Sequence, residues 1–190
     1  MCSWMGHLSS MKNQKLSHEF DYYVLLFFSL AFWGWVWEVA LYFFTEHAFI
    51  NRGVYRGPYL PVYGAGGLLL YFLFRSRRRK PVGVFGLSAL LCSALEYLTG
   101  FFLERRWGIR WWDYSNHLFN ISGRICLAGA MLFGAGGVML ICVYVPFYEK
   151  IYLRIPKRWR IRLCFLLLAV FIADGCYSAM HPNVGYGISS

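Results

Sequence analysis

The chain has 190 residues, of which 58% are hydrophobic and only 15% charged, and its formal net charge is +10. Soluble proteins carry roughly a quarter of their residues as charged ones, so this composition excludes an ordinary soluble domain and favours an integral membrane protein. The basic residues lie beside apolar runs and not along one soluble face. Membrane lipid is therefore the expected partner, and nucleic acid is not.

Five apolar stretches are candidates for membrane-spanning helices, which need about 20 residues. They cover residues 22–45, 59–74, 82–103, 125–145 and 163–179. The sequence therefore predicts an all-α, polytopic transmembrane helical bundle with about five spans. The second stretch is short and has Pro61, Gly64, Gly66 and Gly67 near its start. Irregular backbone is expected there, inside the bundle.

The polar segments around these spans predict the domain limits and the sidedness. Residues 1–21 form a polar lead without the pattern of a cleaved signal peptide, residues 22–179 form the transmembrane domain, and residues 180–190 form a short tail. The lead and the loops after spans two and four hold 13 of the 19 lysines and arginines. By the positive-inside rule, the amino terminus is cytoplasmic, the carboxyl terminus is extracytoplasmic, and loops one and three face outward.

An internal similarity links the ends of spans one and three. Residues 37–46 and 95–104 align so that Glu38 matches Glu96 and Glu46 matches Glu104. Each segment precedes an outward loop. We therefore predict a parallel two-helix repeat, with spans one and two matching spans three and four and with span five added.

Glu38 and Glu96 lie inside predicted spans, where a central charge costs about 2.5 to 3.5 kcal/mol. Each shares a helix face with small and polar residues, so we expect both to point into the bundle and to converge. Arg52 and Arg124, in the two outward loops, are the expected counter-charges. The alternative is that these pairs are buried salt bridges that only fix the bundle.

The predicted site combines these charges with polar residues of the outward loops. Its substrate-binding residues are Glu38, Asn51, Arg52, Tyr63, Glu96, Trp112, Asp113, Tyr114, Asn120 and Arg124. An enzyme acting on an anionic lipid or cell-envelope substrate would draw its acid or base from Glu38, Glu96 or Asp113. Asp174 is expected at the margin of the site as an interfacial acid, and the tryptophans of loop three also fit an interfacial aromatic belt.

No cofactor or metal is expected. The six cysteines are dispersed without a CxxC pair, and the histidines do not cluster. The chain also lacks the GxxxxGK[ST] loop that binds nucleotide phosphates.

Three ordered motifs carry a resemblance to a known family. They are NRGVYRGPYLPVYGAG over residues 51–66, LEYLTGFFLE over residues 95–104, and WGIRWWDYSNHLFNISGRICL over residues 107–127. Together they resemble a bacterial membrane family described as ABC-transporter permeases of type IV, over residues 27–145. Leu118 and the extra charge of Arg56 depart from the pattern, but no signature residue is lost.

The resemblance implies a transporter subunit in the bacterial cytoplasmic membrane, working with a separate ATPase subunit. Chains of this size would then have to form at least a homodimer to enclose a transport path through the membrane. A membrane-embedded enzyme remains an alternative, as does a structural subunit that binds another membrane protein.

Overall fold

The computed structural model describes residues 19–47, 49–108, 110, 112–181 and 183. Within these residues the chain is helical and has no β-strand, which confirms the predicted all-α class. Most of the predicted lead, most of the predicted tail and Trp111 lie outside the described residues.

Five helices follow one another along the chain. They are α1 (Phe20–Glu46), α2 (Pro61–Phe74), α3 (Pro81–Trp107), α4 (Leu127–Arg154) and α5 (Lys157–Met180). All except α2 are long and apolar enough to cross a membrane, whereas α2 has 14 residues. The membrane class is therefore confirmed, and the shortness of the second span is a property of the structure as well.

The start of α2 differs from the expectation of irregular backbone, because the helix is regular from Pro61 onward. Proline suits the first helical turn, where its missing amide would have no partner. The glycines serve close packing instead. A Cβ on Gly64 would come within 2.7 Å of the Phe27 ring on α1, and one on Gly34 within 2.3 Å of Tyr63. Small residues therefore let α1 and α2 approach each other.

Three helices extend clearly beyond the predicted spans. The third continues past residue 103 to Trp107. The fourth continues past residue 145 to Arg154 and contains a π-helical segment, Met139–Tyr144, between two α-helical ones. The fifth begins at Lys157 and not at residue 163. Many of the added residues are charged, so hydropathy alone made each predicted span shorter than the helix.

The chain forms two compact units. The first comprises the described residues up to Leu68 and from Glu149 onward, and the second comprises Leu69–Tyr148. In the first unit α1 contacts α5, around a core that includes the buried side chains of Leu26, Phe28 and Tyr59. The ring of Phe171 on α5 makes edge contacts with Phe28 and Tyr59.

In the second unit α3 packs along the first half of α4. A Cβ on Gly134 would come within 2.7 Å of Phe85, and one on Gly137 within 2.1 Å of Ser88. The absence of a side chain at these glycines permits the close approach of α3 and α4. The boundary between the units falls inside α2 and α4, and the parallel repeat stays a prediction.

Candidate functional site

Loop one, residues 47–60, is held by α5. The carboxylate of Asp174 accepts hydrogen bonds from the backbone amides of Arg56 at 3.2 Å and Gly57 at 2.9 Å. The hydroxyls of Tyr59 and Ser178 donate to the same carboxylate. An acid inside an apolar helix is costly unless it is paired, and here loop one supplies the donors. Asp174 is therefore part of the loop structure and not only an interfacial acid at its margin.

Asn183 adds a second anchor to loop one. Its side-chain amide donates to the carbonyls of Asn51 at 2.9 Å and Gly53 at 3.0 Å, and its backbone amide donates to Val54 at 3.1 Å. Gly53 has a φ of +94°, a backbone conformation that other residues rarely adopt. The chain thus bends at the NRG sequence, and Asn183 near the carboxyl end of the described chain holds this bend in place.

Glu38 has two partners in the first unit. The hydroxyl of Tyr63 donates to Glu38 Oε1 at 2.5 Å, and Arg52 Nε lies 3.5 Å from Oε2. The guanidinium of Arg52 also lies 4.1 Å from the ring centroid of Tyr42. The side chains of Arg52 and Glu38 remain 22% and 21% exposed. The pair is therefore only partly buried, and Arg52 contacts Glu38 through Nε alone.

The side chain of Asn51 forms hydrogen bonds within the protein. Its side-chain oxygen accepts the indole N–H of Trp35 at 2.6 Å, and its amide donates to the carbonyl of Arg56 at 3.0 Å. These bonds fix the start of loop one against α1. The residue places its neighbour Arg52 and has little bonding capacity left for a ligand.

Glu96 has a different environment in the second unit. The hydroxyl of Tyr114 donates to Glu96 Oε1 at 3.1 Å. The other carboxylate oxygen is buried and has no hydrogen-bond partner among the described residues. Burial, reinforced by the nearby Glu96 carboxylate, raises the pKa of Tyr114 to about 12, so this tyrosine stays a donor at neutral pH.

Arg124 contacts Glu104 and not Glu96. Its Nη2 lies 2.5 Å from Glu104 Oε2, and Arg110 Nε lies 2.9 Å from the other oxygen of the same carboxylate. Glu104 lies two turns beyond Glu96 on α3, near the point where loop three begins. Gly100 leaves room for the stem of Arg124, since a Cβ there would meet it at 3.5 Å.

The remaining predicted residues organise loop three itself. Asp113 accepts the amide and hydroxyl of Ser115 at 2.9 and 2.5 Å, and these bonds lower the pKa of Asp113. Asn120 donates to the carbonyls of Ser115 and His117 and accepts the Gly123 amide.

The indole of Trp112 donates to the carbonyl of Arg124 at 3.0 Å. Trp107, at the end of α3, is 61% exposed, as a residue of an interfacial belt would be. Loop three is thus a compact structure with its own internal bonds, and only some of its tryptophans fit the belt interpretation.

No group of three or more His, Cys, Asp or Glu side chains in the described part of the chain is placed to hold a metal ion. The predicted convergence of Glu38 and Glu96 concerns residues of different units and stays a prediction.

The family model described as "Putative ABC-transporter type IV" matches residues 25–179. The chain belongs to this family. The type IV match covers nearly all of α1 to α5 and therefore includes Asp174 as well as Glu38, Glu96 and both outward loops. Together with the four long apolar helices, it identifies a multi-pass membrane protein of an ABC-transporter family.

Comparison with curated proteins and with solved structures found no match for this type IV chain.

Several contacts of this type IV protein were not predicted from its sequence. The residues missed are Trp35, Tyr59, Glu104, Arg110 and Asn183. The anchoring role of Asp174 was missed as well. The cost of an acid in an apolar helix pointed to Asp174, but its partners in loop one lie more than 100 positions away in the sequence.

Proposed function

We propose that the chain is the permease subunit of an ABC-type transporter and that it binds substrate through outward-facing polar residues. In the first unit these are Glu38, Arg52 and Tyr63, and in the second unit they are Glu96, Tyr114 and Arg124. A separate subunit hydrolyses ATP, since the chain carries no phosphate-binding loop. We place the protein in the bacterial cytoplasmic membrane, with its amino terminus inside, as a homo-oligomer.

The observation that carries this proposal is the unfilled bonding capacity of Glu96. One of its carboxylate oxygens accepts no hydrogen bond from any described residue, although the group lies in a membrane-spanning helix. Intramembrane acids are expensive and generally mark the path of a substrate or ion. A hydrogen-bond donor of a bound substrate would complete the coordination of this carboxylate.

Arg52 offers the opposite chemistry in the first unit. A guanidinium has five N–H donors, and of these only Nε lies near Glu38. The remaining donors are available for an acidic group of a substrate, and the Tyr42 ring keeps the guanidinium plane in place. The polar residues of the first unit thus offer hydrogen-bond donors, whereas Glu96 in the second unit offers an acceptor.

Asn51, Trp112, Asp113 and Asn120 have structural roles within this proposal. Their polar atoms bond to loop backbone or to neighbouring side chains. We propose that they hold the loops in which the binding residues lie. Direct contact with substrate is then left to Glu38, Arg52, Tyr63, Glu96, Tyr114 and Arg124.

The experiment is a ligand screen on protein purified in mild detergent, using wild type, Glu96→Gln and Glu38→Gln. Bound small molecules are identified by mass spectrometry, and each is added back to measure the shift in Tm. We expect the glutamine variants to unfold near the wild-type Tm and to lose both the ligand and its Tm shift. Tyr97→Phe, a change of similar size beside Glu96, is the matched control and should keep both.

Two results would contradict the site. One is an identical ligand set and Tm shift in wild type and both glutamine variants. The other is loss of the ligand in Tyr97→Phe as well. If wild type instead converts the ligand chemically and Glu96→Gln does not, the membrane-enzyme alternative replaces the permease.

The transporter assignment is tested separately by capturing the tagged chain from its native membrane and measuring ATP hydrolysis. We expect a co-purifying ATPase activity that is absent when the same capture is carried out on membranes containing the untagged chain. If no ATPase activity co-purifies with the intact tagged chain, the permease role is contradicted, whereas the ligand result still holds.

A further inference from the structure

A basic corner in the first unit connects the end of α4 to the start of α5. Helix α4 ends at Arg154, Pro156 follows it, and α5 begins at Lys157. We call the six basic residues between positions 150 and 162 the corner cluster: Lys150, Arg154, Lys157, Arg158, Arg160 and Arg162. The proposed transport site does not involve these residues.

Two members of the corner cluster are neutralised within the protein. The ammonium of Lys157 lies 3.0 Å from Glu19 Oε1, while Arg160 lies 3.4 Å from Glu19 and 3.6 Å from Asp21. The Arg160 guanidinium also lies 4.1 Å from the ring centroid of Tyr152, and its side chain is only 10% exposed. These residues tie α5 to the start of α1, and their charge is balanced by two acids.

The other four members have no such partner. Lys150, Arg154, Arg158 and Arg162 are exposed, and none forms an ion pair with a described acid. They make two pairs with a spacing of four residues, one on the last turns of α4 and one on the first turns of α5. Like charges at this spacing destabilise a helix unless an anion lies between them. Each pair therefore favours a bound anionic group.

The surroundings of these pairs favour a lipid over a soluble anion. Trp159 is 56% exposed, and the guanidinium of Arg162 lies 5.0 Å from its ring centroid. Ile151, Leu153 and Leu163 are also 40% or more exposed at the same corner. Tryptophan beside basic residues is typical of the boundary between hydrocarbon and head groups. A free phosphate would gain nothing from these apolar side chains, whereas a phospholipid covers them with its acyl chains.

We infer that the corner between α4 and α5 binds anionic phospholipid head groups, with Lys150 and Arg154 as one phosphate-binding pair and Arg158 and Arg162 as the other. Arginine suits this role because its planar fork matches two phosphate oxygens. The inference goes beyond the transport function and does not depend on it.

The test measures lipid binding to the purified full chain in a non-ionic detergent by native mass spectrometry. Phosphatidylglycerol and phosphatidylcholine are added in equal amounts to wild type, Arg158→Gln/Arg162→Gln and Lys150→Gln/Arg154→Gln. We expect wild type to prefer phosphatidylglycerol. Each double variant should weaken that binding by roughly thirtyfold at low salt, since each basic residue near an anionic surface contributes about 1 kcal/mol.

The matched control is Arg105→Gln/Arg106→Gln at the end of α3. Both arginines are exposed, and Arg106 lies 5.9 Å from the ring centroid of Trp107, so the control repeats the charge and aromatic features of the corner. It should keep the wild-type preference. An equal loss in this control would overturn the site, as would an unchanged preference in both corner variants.

The variant Arg158→Lys/Arg162→Lys tests whether lost binding results from the lost charges or from a disturbed fold. This variant keeps both charges and should retain a clear preference for phosphatidylglycerol, and its loss would overturn the charge-based site. Inorganic phosphate is the second probe. If phosphate alone raises the Tm as much as phosphatidylglycerol does, the corner binds a soluble anion and the lipid proposal is wrong.

Discussion

Arg124 at the end of loop three contacts Glu104, with 2.5 Å between Nη2 and Oε2, and this contact closes loop three onto the helix that precedes it. Arg110 shares the same carboxylate at 2.9 Å. The two arginines differ in exposure, since the Arg124 side chain is 15% exposed and that of Arg110 is 37% exposed. The loss of a partner should therefore matter more at Arg124, where solvent screens the charge less.

We expect Arg124→Gln to lower the Tm by more than Arg110→Gln. Arg105→Gln, at an exposed neighbouring position, should leave the Tm nearly unchanged. Thermal unfolding of the three variants in one detergent provides the measurement. If Arg110→Gln lowers the Tm as much as Arg124→Gln does, side-chain exposure does not determine how much each contact contributes to stability.

Loop one offers a second test, because Asp174 accepts two of its backbone amides. Asp174→Asn removes the charge and replaces one acceptor oxygen with a donor, so at least one amide loses its partner. Leaving such a group unsatisfied costs about 1 to 3 kcal/mol, and we expect this loss in the free energy of unfolding.

The same substitution should expose loop one to trypsin at Arg52 and Arg56. Ser178→Ala, which removes a single neutral donor to Asp174, is the control and should change cleavage little. Equal cleavage rates for wild type and Asp174→Asn would show that α5 does not hold the loop.

Tyr114 provides the hydrogen bond that Glu96 accepts. Tyr114→Phe should lower the free energy of unfolding by about 1 kcal/mol, because it leaves a partly buried carboxylate without that donor. In Glu96→Gln the same tyrosine change should cost less, and a double-mutant cycle measures the difference. A coupling energy of zero would mean that the 3.1 Å contact adds nothing to stability.

Glu19 predicts a pH dependence at the start of α1. The hydrogen bond from Lys157 is the main reason that the pKa of Glu19 lies below its ordinary value, and Tyr152 and Arg160 add to the effect. Because the folded pKa is lower than the unfolded one, the ionised form stabilises the fold above about pH 4.3. That contribution disappears as the pH falls through the folded pKa.

The difference in Tm between wild type and Glu19→Gln should therefore be largest above about pH 5 and should shrink at lower pH. Measurements of both proteins from a pH well below the ordinary glutamate pKa up to neutral pH give the comparison. Tyr23→Phe, a change near the same helix start, should show a difference from wild type that does not vary with pH. A Glu19→Gln difference that is equally constant would mean that the Lys157 contact does not stabilise the fold.

The sequence predicted the helices where apolar composition alone decides them. It placed the start of α1, the body of α3 and the apolar part of α4 within a few residues, because hydrocarbon needs long apolar helices. It missed the residues up to Arg154 and from Lys157, since charged residues are good helix formers but lower the mean hydropathy.

The side-chain partners were predicted only in part. The proximity of Arg52 to Glu38 was predicted from the acid in span one and from one of the two arginines, Arg52 and Arg56, in the loop that follows. For Arg124 two acids on one helix face were available, and sequence spacing does not determine which of them a flexible arginine reaches. The contacts of Asp174 and Asn183 depend on tertiary structure that joins distant segments, which no local pattern contains.

The anchoring of loop one by α5 has a consequence for biosynthesis. Loop three bonds to α3 and to its own backbone, so its partners emerge from the ribosome together. Gly57 and Asp174 are separated by 117 positions. At synthesis rates of about 5 to 20 residues per second, loop one waits roughly 6 to 24 seconds for its anchor. During that interval, a nascent chain would already have a finished second outward loop while the first is still open.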